Sequence, residues 1–304
     1  MELFTPFTPM SPVAEDRSPT GSAWVHQLKW DGYRLIAEVR GESVRLYSKR
    51  MLPQNDSYPE LTAALASRPG DYILDGEAVI LDPRTGKPSF QLMQQRGKLL
   101  GDRLIEASAR RNPVQYILFD LLFADGRDLR RLPYTERRER LLGLTQGWTS
   151  PFYVADEFED GEALWRWVEA NGWEGIVSKK KAAPYMEGKE HRDWFKRKTV
   201  HHMDVDIVGI IWKEGRVSSL VMRKGDRYMG RVSSGLNEQA KAALRLLPAG
   251  RSRADYWDGV PEGLRGADVR WLDEPLAGRV SGREMTDAGL LRHPKLIDLE
   301  GIRL

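Results

Sequence analysis

The stretch QLKWDGYR, residues 27–34, sets a lysine between two segments in which polar and apolar residues alternate. This alternation predicts one strand that ends at Lys29 and a second that begins at Tyr33. Asp31 and Gly32 between them are typical of a tight hairpin turn. A lysine at a strand end is held more firmly than one on a helix surface. It could serve a reaction, or it could simply be a solvated lysine beside a turn.

Length and composition limit the class of protein. A chain of 304 residues with 41% hydrophobic and 30% charged residues is typical of a globular protein with one large or, as we expect, two domains. The absence of cysteine excludes a disulfide framework, a thiolate zinc site and a cysteine nucleophile. We find no bilayer-length apolar run and no secretion signal, and we therefore expect a cytoplasmic protein without a membrane partner.

Residues 1–199 alternate between predicted strands and helices. After an extended arm we expect a three-strand meander, then a helix capped by Asp56 or Ser57 with Leu61, Ala64 and Leu65 facing inward. In the first of two later apolar strands Glu77 interrupts the apolar face, and the second strand again carries an acid, Asp120. A carboxylate among apolar residues needs a reason. The remaining predicted segments are a strand over 72–81, a helix or loop over 90–96, a strand over 116–123, helices over 135–144 and 161–170, and a strand over 173–179.

The composition changes after Thr199. Short strands with frequent glycines are predicted over 205–212, 217–223, 227–232 and 268–272, with one helix over 237–247. This spacing is typical of a small antiparallel barrel. We therefore predict two domains, 1–199 and 200–304.

The residues that do not fit a structural role suit one chemistry. A nucleophilic amine would attack the α-phosphorus of a nucleoside triphosphate, cations would neutralise the phosphates, carboxylates would hold Mg²⁺, and an aromatic ring would stack on the base. The candidates are Lys29, Asp31, Arg34, Glu77, Phe119, Glu174, Lys196 and Lys198.

Ordered motifs carry a family resemblance from residue 23 onward. Lys29-Trp30-Asp31-Gly32, Asp75-Gly76-Glu77, Glu174-Gly175-Ile176-Val177 and Trp194-Phe195-Lys196-Arg197-Lys198 resemble the motifs of covalent nucleotidyltransferases. Within that superfamily the chain resembles ATP-dependent DNA ligases, specifically the ligase module of bacterial end-joining enzymes. The narrower match rests on residues 90–96, 118–120, 133–138, 230–235 and 291–294.

The resemblance implies an α+β fold, in which an antiparallel-sheet nucleotidyltransferase (ATP-grasp-like) domain precedes an OB-fold barrel. It implies a DNA ligase that forms a lysyl-AMP intermediate, transfers AMP to a 5′-phosphate, and seals the strand by attack of the 3′-hydroxyl. ATP and Mg²⁺ (or Mn²⁺) would be the cofactors. Broken or nicked duplex DNA would be the substrate, a Ku-like end-binding protein a partner, and the enzyme a monomer.

The resemblance also implies residue roles. Lys29 would be the adenylylated lysine, with its pKa depressed by Lys196, Lys198 and Mg²⁺. Gln27 stands where the family usually has glutamate, so its amide oxygen must accept from the adenine amino group. Glu77 and Glu174 would hold the metal. Nucleotide contacts are expected from Arg34, Glu77, Phe119, Lys196 and Lys198, and pyrophosphate contacts from Arg292 and Lys295.

Contacts with DNA are expected from cations near these motifs: Lys49, Arg50, Lys179, Lys180 and Lys181. A solvated charged face is the alternative for the last three. Phe119 could equally belong to the core, and Asp31 could be only a turn residue. The functional alternatives are an RNA ligase, a capping guanylyltransferase, or a non-catalytic nucleic-acid-binding protein that acts through its barrel.

Overall fold

The computed structural model describes residues 7–188, 190–282 and 289–304. The chain divides into two units, Met1–Thr199 and Val200–Leu304. The division falls where the sequence changes to short, glycine-rich strands.

The first unit contains two sheets and five helices among its described residues. Its strands are β1 (Ser11–Ala14), β2 (Trp24–Leu28), β3 (Tyr33–Gly41), β4 (Ser43–Ser48), β5 (Gly70–Val79), β6 (Gln115–Ala124), β7 (Arg127–Asp128), β8 (Phe152–Val154), β9 (Gly175–Lys180) and β10 (Glu190–Lys198). Its helices are α1 (Pro59–Ala66), α2 (Phe90–Arg96), α3 (Asp102–Arg111), α4 (Tyr134–Leu144) and α5 (Gly161–Asn171).

One face of the larger sheet packs on the main core. The strand order is β4-β3-β5-β6-β7, and β8 pairs with β6. Alternation along β5 directs Leu74 and Ala78 into the main core, where Leu61 and Leu65 of α1 also lie. The same alternation directs Asp75 and Glu77 to the opposite face, so the acids that interrupt an apolar strand lie together on one side of the sheet.

The smaller sheet has the order β1-β10-β9-β2. Gln27 on β2 pairs with Val177 on β9, and Val177 pairs with Lys196 on β10. Paired residues in adjacent strands point to the same side. Gln27, Lys196 and the next residues two positions on, Lys29 and Lys198, therefore share one face.

The predicted hairpin at Asp31 and Gly32 is wrong. β2 pairs with β9 in the smaller sheet, whereas β3 pairs with β4 and β5 in the larger one. The segment therefore carries the chain from one sheet to the other. Glycine is required at position 32 because a Cβ there would lie 2.1 Å from the carbonyl oxygen of Ala78.

The predicted helices are present, with differences in detail. Helix α1 begins after Tyr58, which provides no side-chain cap, so the predicted caps were wrong although Leu61 and Leu65 are buried as expected. In α4, Leu141 is buried but Leu142 is 48% exposed. Helix α5 ends at Gly172, whose φ of 62° suits the glycine stop signal.

The second unit contains one five-stranded sheet and one α-helix among its described residues. The elements are β11 (His201–Lys213), β12 (Arg216–Lys224), β13 (Arg227–Val232), α6 (Glu238–Arg245), β14 (Asp268–Gly282) and β15 (Lys295–Leu299).

The strand order of this sheet is β13-β12-β11-β14-β15, and all neighbouring pairs are antiparallel. The sheet does not close into a continuous barrel in the part of the chain that the structure describes. One isolated parallel bridge, between Ser234 and Lys295, joins its two ends.

Among residues 7–188, 190–282 and 289–304, no helix is both long enough and apolar enough to cross a membrane.

Candidate active site

Lys29 follows the end of β2 and is fixed through its backbone and its side chain. Its N–H donates to the carbonyl oxygen of Gly175 at 2.9 Å. Its Nζ donates to Oε2 of Glu174 at 2.7 Å. The side chains are 20% and 15% exposed, so both groups remain reachable from solvent.

Glu174 holds two lysines from two different strands. Nζ of Lys198 donates to Oε1 of the same carboxylate at 2.6 Å. The close approach of β9 and β10 requires Gly175, because a Cβ there would lie 2.1 Å from the carbonyl oxygen of Arg197. Lys196, on the same face of β10, donates to Glu190 at 3.0 Å and is 23% exposed.

The expected lowering of the pKa of Lys29 is wrong for this structure. Burial lowers the pKa, but the negative charges of Glu174 and then Glu77 outweigh burial, so the pKa of Lys29 is raised above its usual value. The expectation rested on Lys196, Lys198 and Mg²⁺. Both lysines are directed toward carboxylates instead, and the effect of Mg²⁺ stays a prediction. Lys29 is therefore an ammonium group, which must lose a proton before it can act as a nucleophile.

Glu77 is held partly protonated near neutral pH. Burial raises its pKa to about 7, with Lys29 opposing and Glu174 reinforcing the change. Glu77 and Glu174 provide hard oxygen ligands at a place where a cation would relieve the repulsion between their negative charges. No group of three or more histidine or acidic residues suited to a metal occurs among the described residues. Glu77 and Glu174 therefore fit a magnesium ion that takes its remaining ligands from phosphates and water.

Arg34 lies on the same face of the larger sheet as Glu77, with which it pairs in register. Its guanidinium donates twice to Asp75, at 2.8 and 2.6 Å, and once to the Met10 carbonyl oxygen at 2.6 Å. Tyr185 also donates to Asp75, at 2.7 Å. Burial opposes the charge of Arg34, but Asp75 outweighs burial and raises the pKa of Arg34. The guanidinium is thus firmly positioned beside the expected nucleotide site.

Lys179 is buried, so the expected contact with DNA is wrong for this residue. It is 1% exposed, and its Nζ donates to the carbonyl oxygen of Phe119 at 2.9 Å. The rings of Phe119, Tyr134 and Trp194 surround the same nitrogen at 4.6, 4.7 and 4.4 Å from their centroids. Burial lowers the pKa of Lys179 to about 7. Alternation on β9 explains the error, because Lys179 points to the opposite side from its neighbours.

Phe119 is partly exposed on β6. Lys179 lies 4.6 Å and Arg34 5.3 Å from its ring centroid, and Trp194 packs edge-on at 6.3 Å. These contacts fix the ring on the face of the sheet that carries Glu77. The position suits a base platform, but the same ring also packs against two hydrophobic clusters.

Gln27 begins a chain of polar contacts away from the lysine. Its Nε2 donates to the hydroxyl of Tyr134 at 2.9 Å. Tyr134 donates to Oε1 of Glu157 at 2.5 Å, and Arg138 pairs with Oε2 of Glu157 at 2.9 Å. Gln27 is 3% exposed and Tyr134 is fully buried.

The remaining predicted cations divide between the two units. Lys49 and Arg50 are exposed after β4, and partial desolvation followed by the charges of Arg34 and Lys196 lowers the pKa of Lys49. Lys180 and Lys181 are 47% and 30% exposed. In the second unit, Arg292 is half-buried and Lys295 is exposed at the start of β15.

Sequence reasoning missed the residues that position the site. Tyr134, Tyr185 and Asp75 each bind a predicted site residue. Asp75 could have been suspected, because it is an acid inside a buried strand. The tyrosines gave no signal, since a tyrosine next to apolar residues is typical of any core.

Comparison with known proteins supports one family. The family model described as ATP dependent DNA ligase domain matches residues 9–198. The multifunctional non-homologous end joining DNA repair protein LigD of Mycobacterium tuberculosis is 34% identical over 286 residues, covering 89% of this chain and 35% of that protein. A probable DNA ligase of Streptomyces avermitilis is 37% identical over 213 residues, 67% of this chain and 40% of the relative. The chain thus spans well under half the length of these relatives.

A solved structure extends the likeness over both units. A mycobacterial DNA ligase D complexed with ATP is 30% identical, with a TM-score of 0.58, over 97% of this chain and 95% of that one. The family model covers the sheets that carry Lys29, Glu77, Glu174 and Lys198. The chain therefore belongs to the ATP-dependent DNA ligase domain family.

Proposed function

We propose that this chain is an ATP-dependent ligase of duplex DNA. The observation that carries the proposal is the position of Lys29: its Nζ lies 2.7 Å from Glu174, which also binds Lys198, within the region that matches the ligase family. A protein that only bound nucleic acid would not need a strand-end lysine among two carboxylates and a second lysine.

The proposed first step joins Nζ of Lys29 to the α-phosphorus of ATP. The P–N bond forms as the bond from the α-phosphorus to the bridging oxygen breaks, and pyrophosphate leaves. The ammonium must give up a proton, and Oε2 of Glu174 at 2.7 Å is placed to accept it. Lys198 and Arg34 would stabilise the phosphate oxygens through their positive charge. AMP then passes to a 5′-phosphate, and a 3′-hydroxyl displaces it.

Magnesium or manganese is part of the proposal. Such an ion, when bound, would draw electron density from the phosphate oxygens. Glu77 and Glu174 would hold it. Because Glu174 binds two lysines in the present arrangement, metal binding would compete with these ion pairs.

We also propose roles for the other predicted residues. The amide oxygen of Gln27 would accept from the adenine amino group, and Phe119 would stack on the base. Lys196 would bind phosphate. Arg292 and Lys295 would orient the leaving pyrophosphate. Lys49, Arg50, Lys180 and Lys181 would contact the DNA backbone by charge, without reading sequence.

For the second unit we propose an OB fold. Numbered within the unit, its sheet has the order 3-2-1-4-5, and the parallel bridge from Ser234 to Lys295 returns from strand 5 to strand 3. The helix α6 between its third and fourth strands agrees with this assignment. A barrel of this kind suits binding to a nucleic-acid backbone. End joining with a Ku-like partner, and action as a monomer, are further parts of the proposal.

Sealing of a labelled nick tests the function. The protein with ATP and Mg²⁺ should convert a nicked DNA duplex to a continuous strand, and GTP should not replace ATP. The matched duplex with RNA strands tests the alternative of an RNA ligase. Efficient sealing of RNA with no sealing of DNA would overturn the proposal in favour of that alternative.

A further inference from the structure

We propose that the hydroxyl of Tyr134, itself oriented by Glu157, fixes the amide of Gln27 so that the amide oxygen faces the base, and thereby makes the enzyme select ATP over GTP. Tyr134 is in this account a positioning residue. The inference rests on the proposed function, because it assigns the specificity of the same nucleotide site.

Tyr134 is the donor in its hydrogen bond with Glu157. Their oxygens are 2.5 Å apart, and Arg138 binds the other carboxylate oxygen at 2.9 Å. A carboxylate paired with arginine only accepts hydrogen bonds, so the tyrosine must donate. Burial and then the charge of Glu157 raise the pKa of Tyr134 well above its usual value, which keeps its proton in place.

The donation from Tyr134 to Glu157 fixes the orientation of the Gln27 amide. A hydroxyl has one proton, and Tyr134 uses it on Glu157. The tyrosine oxygen can then only accept from Gln27, at 2.9 Å, so the amide must direct Nε2 toward Tyr134. The reversed amide would bring two acceptors together without a proton between them. The hydrogen bonds among Gln27, Tyr134 and Glu157 thus decide which end of the Gln27 amide faces Tyr134, although the two ends have nearly the same shape.

The amide oxygen of Gln27 remains available to accept a hydrogen bond. With Nε2 bound, its Oε1 receives no hydrogen bond from the described residues. The side chain is 3% exposed, and a nearly buried carbonyl without a donor favours a ligand that brings one. Adenine carries an amino group at C6, which donates, whereas guanine carries an oxygen there, which accepts. A fixed carbonyl therefore accepts adenine and repels guanine.

The position of Tyr134 makes the orientation rigid. The ring is fully buried and packs beside Lys179 and Arg137, at 4.7 and 5.6 Å from its centroid. The tyrosine hydroxyl cannot turn to water, and among the described residues its hydrogen bonds are those with Gln27 and Glu157. Glutamate at position 27 would need no residue to fix its orientation, since both of its oxygens accept hydrogen bonds. Glutamine needs a fixed orientation, because its amide oxygen would accept from adenine whereas its amide nitrogen would donate to guanine.

Two substitutions test the network by different routes. Tyr134→Phe removes the acceptor and leaves the amide of Gln27 free to rotate. Glu157→Gln reverses the network: its oxygen should remain on Arg138, its amide then donates to Tyr134, and the tyrosine proton turns to Gln27. Both variants should lower the ratio of kcat/KM for ATP to that for GTP by about tenfold or more, measured as nucleotide adduct formation on the enzyme.

A rescue separates orientation from packing. Glutamate at position 27 accepts whichever way it turns, so Gln27→Glu added to Tyr134→Phe should restore the preference for ATP. Tyr153→Phe, at an exposed tyrosine of β8, should leave the ratio unchanged. An unchanged ratio in both Tyr134→Phe and Glu157→Gln would overturn the inference, as would a lowered ratio that Gln27→Glu does not restore.

The wild-type protein distinguishes this inference from the proposed function. If it forms no adduct with either nucleotide, the proposed function is wrong. If it forms the ATP adduct selectively and the two variants do the same, only the role of Tyr134 is wrong.

Discussion

Nζ of Lys29 donates to Oε2 of Glu174 at 2.7 Å, and the carboxylate receives Lys198 on its other oxygen at 2.6 Å. One carboxylate therefore holds the expected nucleophile and the lysine that is expected to bind phosphate side by side. The arrangement positions Lys29 but keeps it protonated. Activation of the lysine consequently depends on what happens to Glu174 when nucleotide and metal bind.

Glu174→Gln should lower the pKa of Lys29. The substitution removes the main charge that raises it, and the burial that lowers it remains. The measurement is the pH titration of the NMR signal of ¹³C-methylated Lys29. Glu190→Gln, which alters the partner of Lys196 instead, is the matched control. An unchanged titration in Glu174→Gln would show that this ion pair does not govern the lysine.

Glu77→Gln should change the pH dependence of stability. The pKa of Glu77 is raised from 4.5 in the unfolded chain to about 7 in the fold. Between these values the folded protein holds a proton that the unfolded chain has released, so the free energy of unfolding falls as pH rises. The difference between wild type and Glu77→Gln should therefore decline from pH 4.5 to pH 7 and then level off. Urea denaturation across this range measures it, and a flat difference would contradict a buried Glu77.

Lys179→Met should also change the pH dependence of stability, with a sign opposite to that of Glu77→Gln and in a higher pH range. The pKa of Lys179 falls from 10.5 in the unfolded chain to about 7 in the fold. Between pH 7 and 10.5 the unfolded chain binds the extra proton, so the stability contributed by Lys179 rises with pH. The same denaturation series should show the wild type gaining on Lys179→Met over this range. A flat difference over the same range would mean that the lysine stays charged in its aromatic surroundings.

Exposed and buried lysines should differ in DNA binding. Replacing both Lys180 and Lys181 by alanine should reduce the log–log salt slope of binding to nicked duplex by up to about two units. Lys179→Met should leave the slope unchanged, because Lys179 is 1% exposed. Fluorescence anisotropy over a potassium chloride series measures both. Equal slopes in the double variant and wild type would identify this stretch as a solvated face.

Asp120→Ala should destabilise the fold strongly. Asp120 binds Arg137 through two hydrogen bonds, at 2.7 and 2.9 Å, and both side chains are fully buried. Its loss leaves a buried guanidinium uncompensated, which costs about 3–5 kcal/mol of unfolding free energy. Asp82→Ala, which breaks a pair with the 78% exposed Arg84, should cost far less. Urea denaturation compares them, and similar losses would contradict the assigned burial.

The sequence predicted the reactive cluster better than its surroundings. Lys29, Glu174 and Lys198 were identified because motifs mark them one by one, and the structure brings them into direct contact. The pairing of strands was harder. A turn sequence such as Asp31-Gly32 signals a change of direction, yet only long-range contacts decide whether the next strand joins the same sheet.

Other errors came from properties that a local pattern does not contain. The predicted segments do not include strand β10, because most of its residues are charged and no alternation of apolar residues marks it as a strand. Lys179 looked like Lys180 and Lys181, and only the aromatic rings from three other elements reveal its burial. The role of Tyr134 depends on the direction of two hydrogen bonds, which no spacing of residues encodes.

The most direct test of the account is to locate the covalent nucleotide. After incubation with ATP and Mg²⁺, mass spectrometry of the digested protein should find AMP on Lys29, in a bond that is labile to acid and stable to base. Lys29→Ala should abolish the adduct, while Lys179→Met, at a buried lysine, should retain one at Lys29. An adduct of undiminished yield in Lys29→Ala, or one that maps to another residue in the wild type, would contradict the central claim.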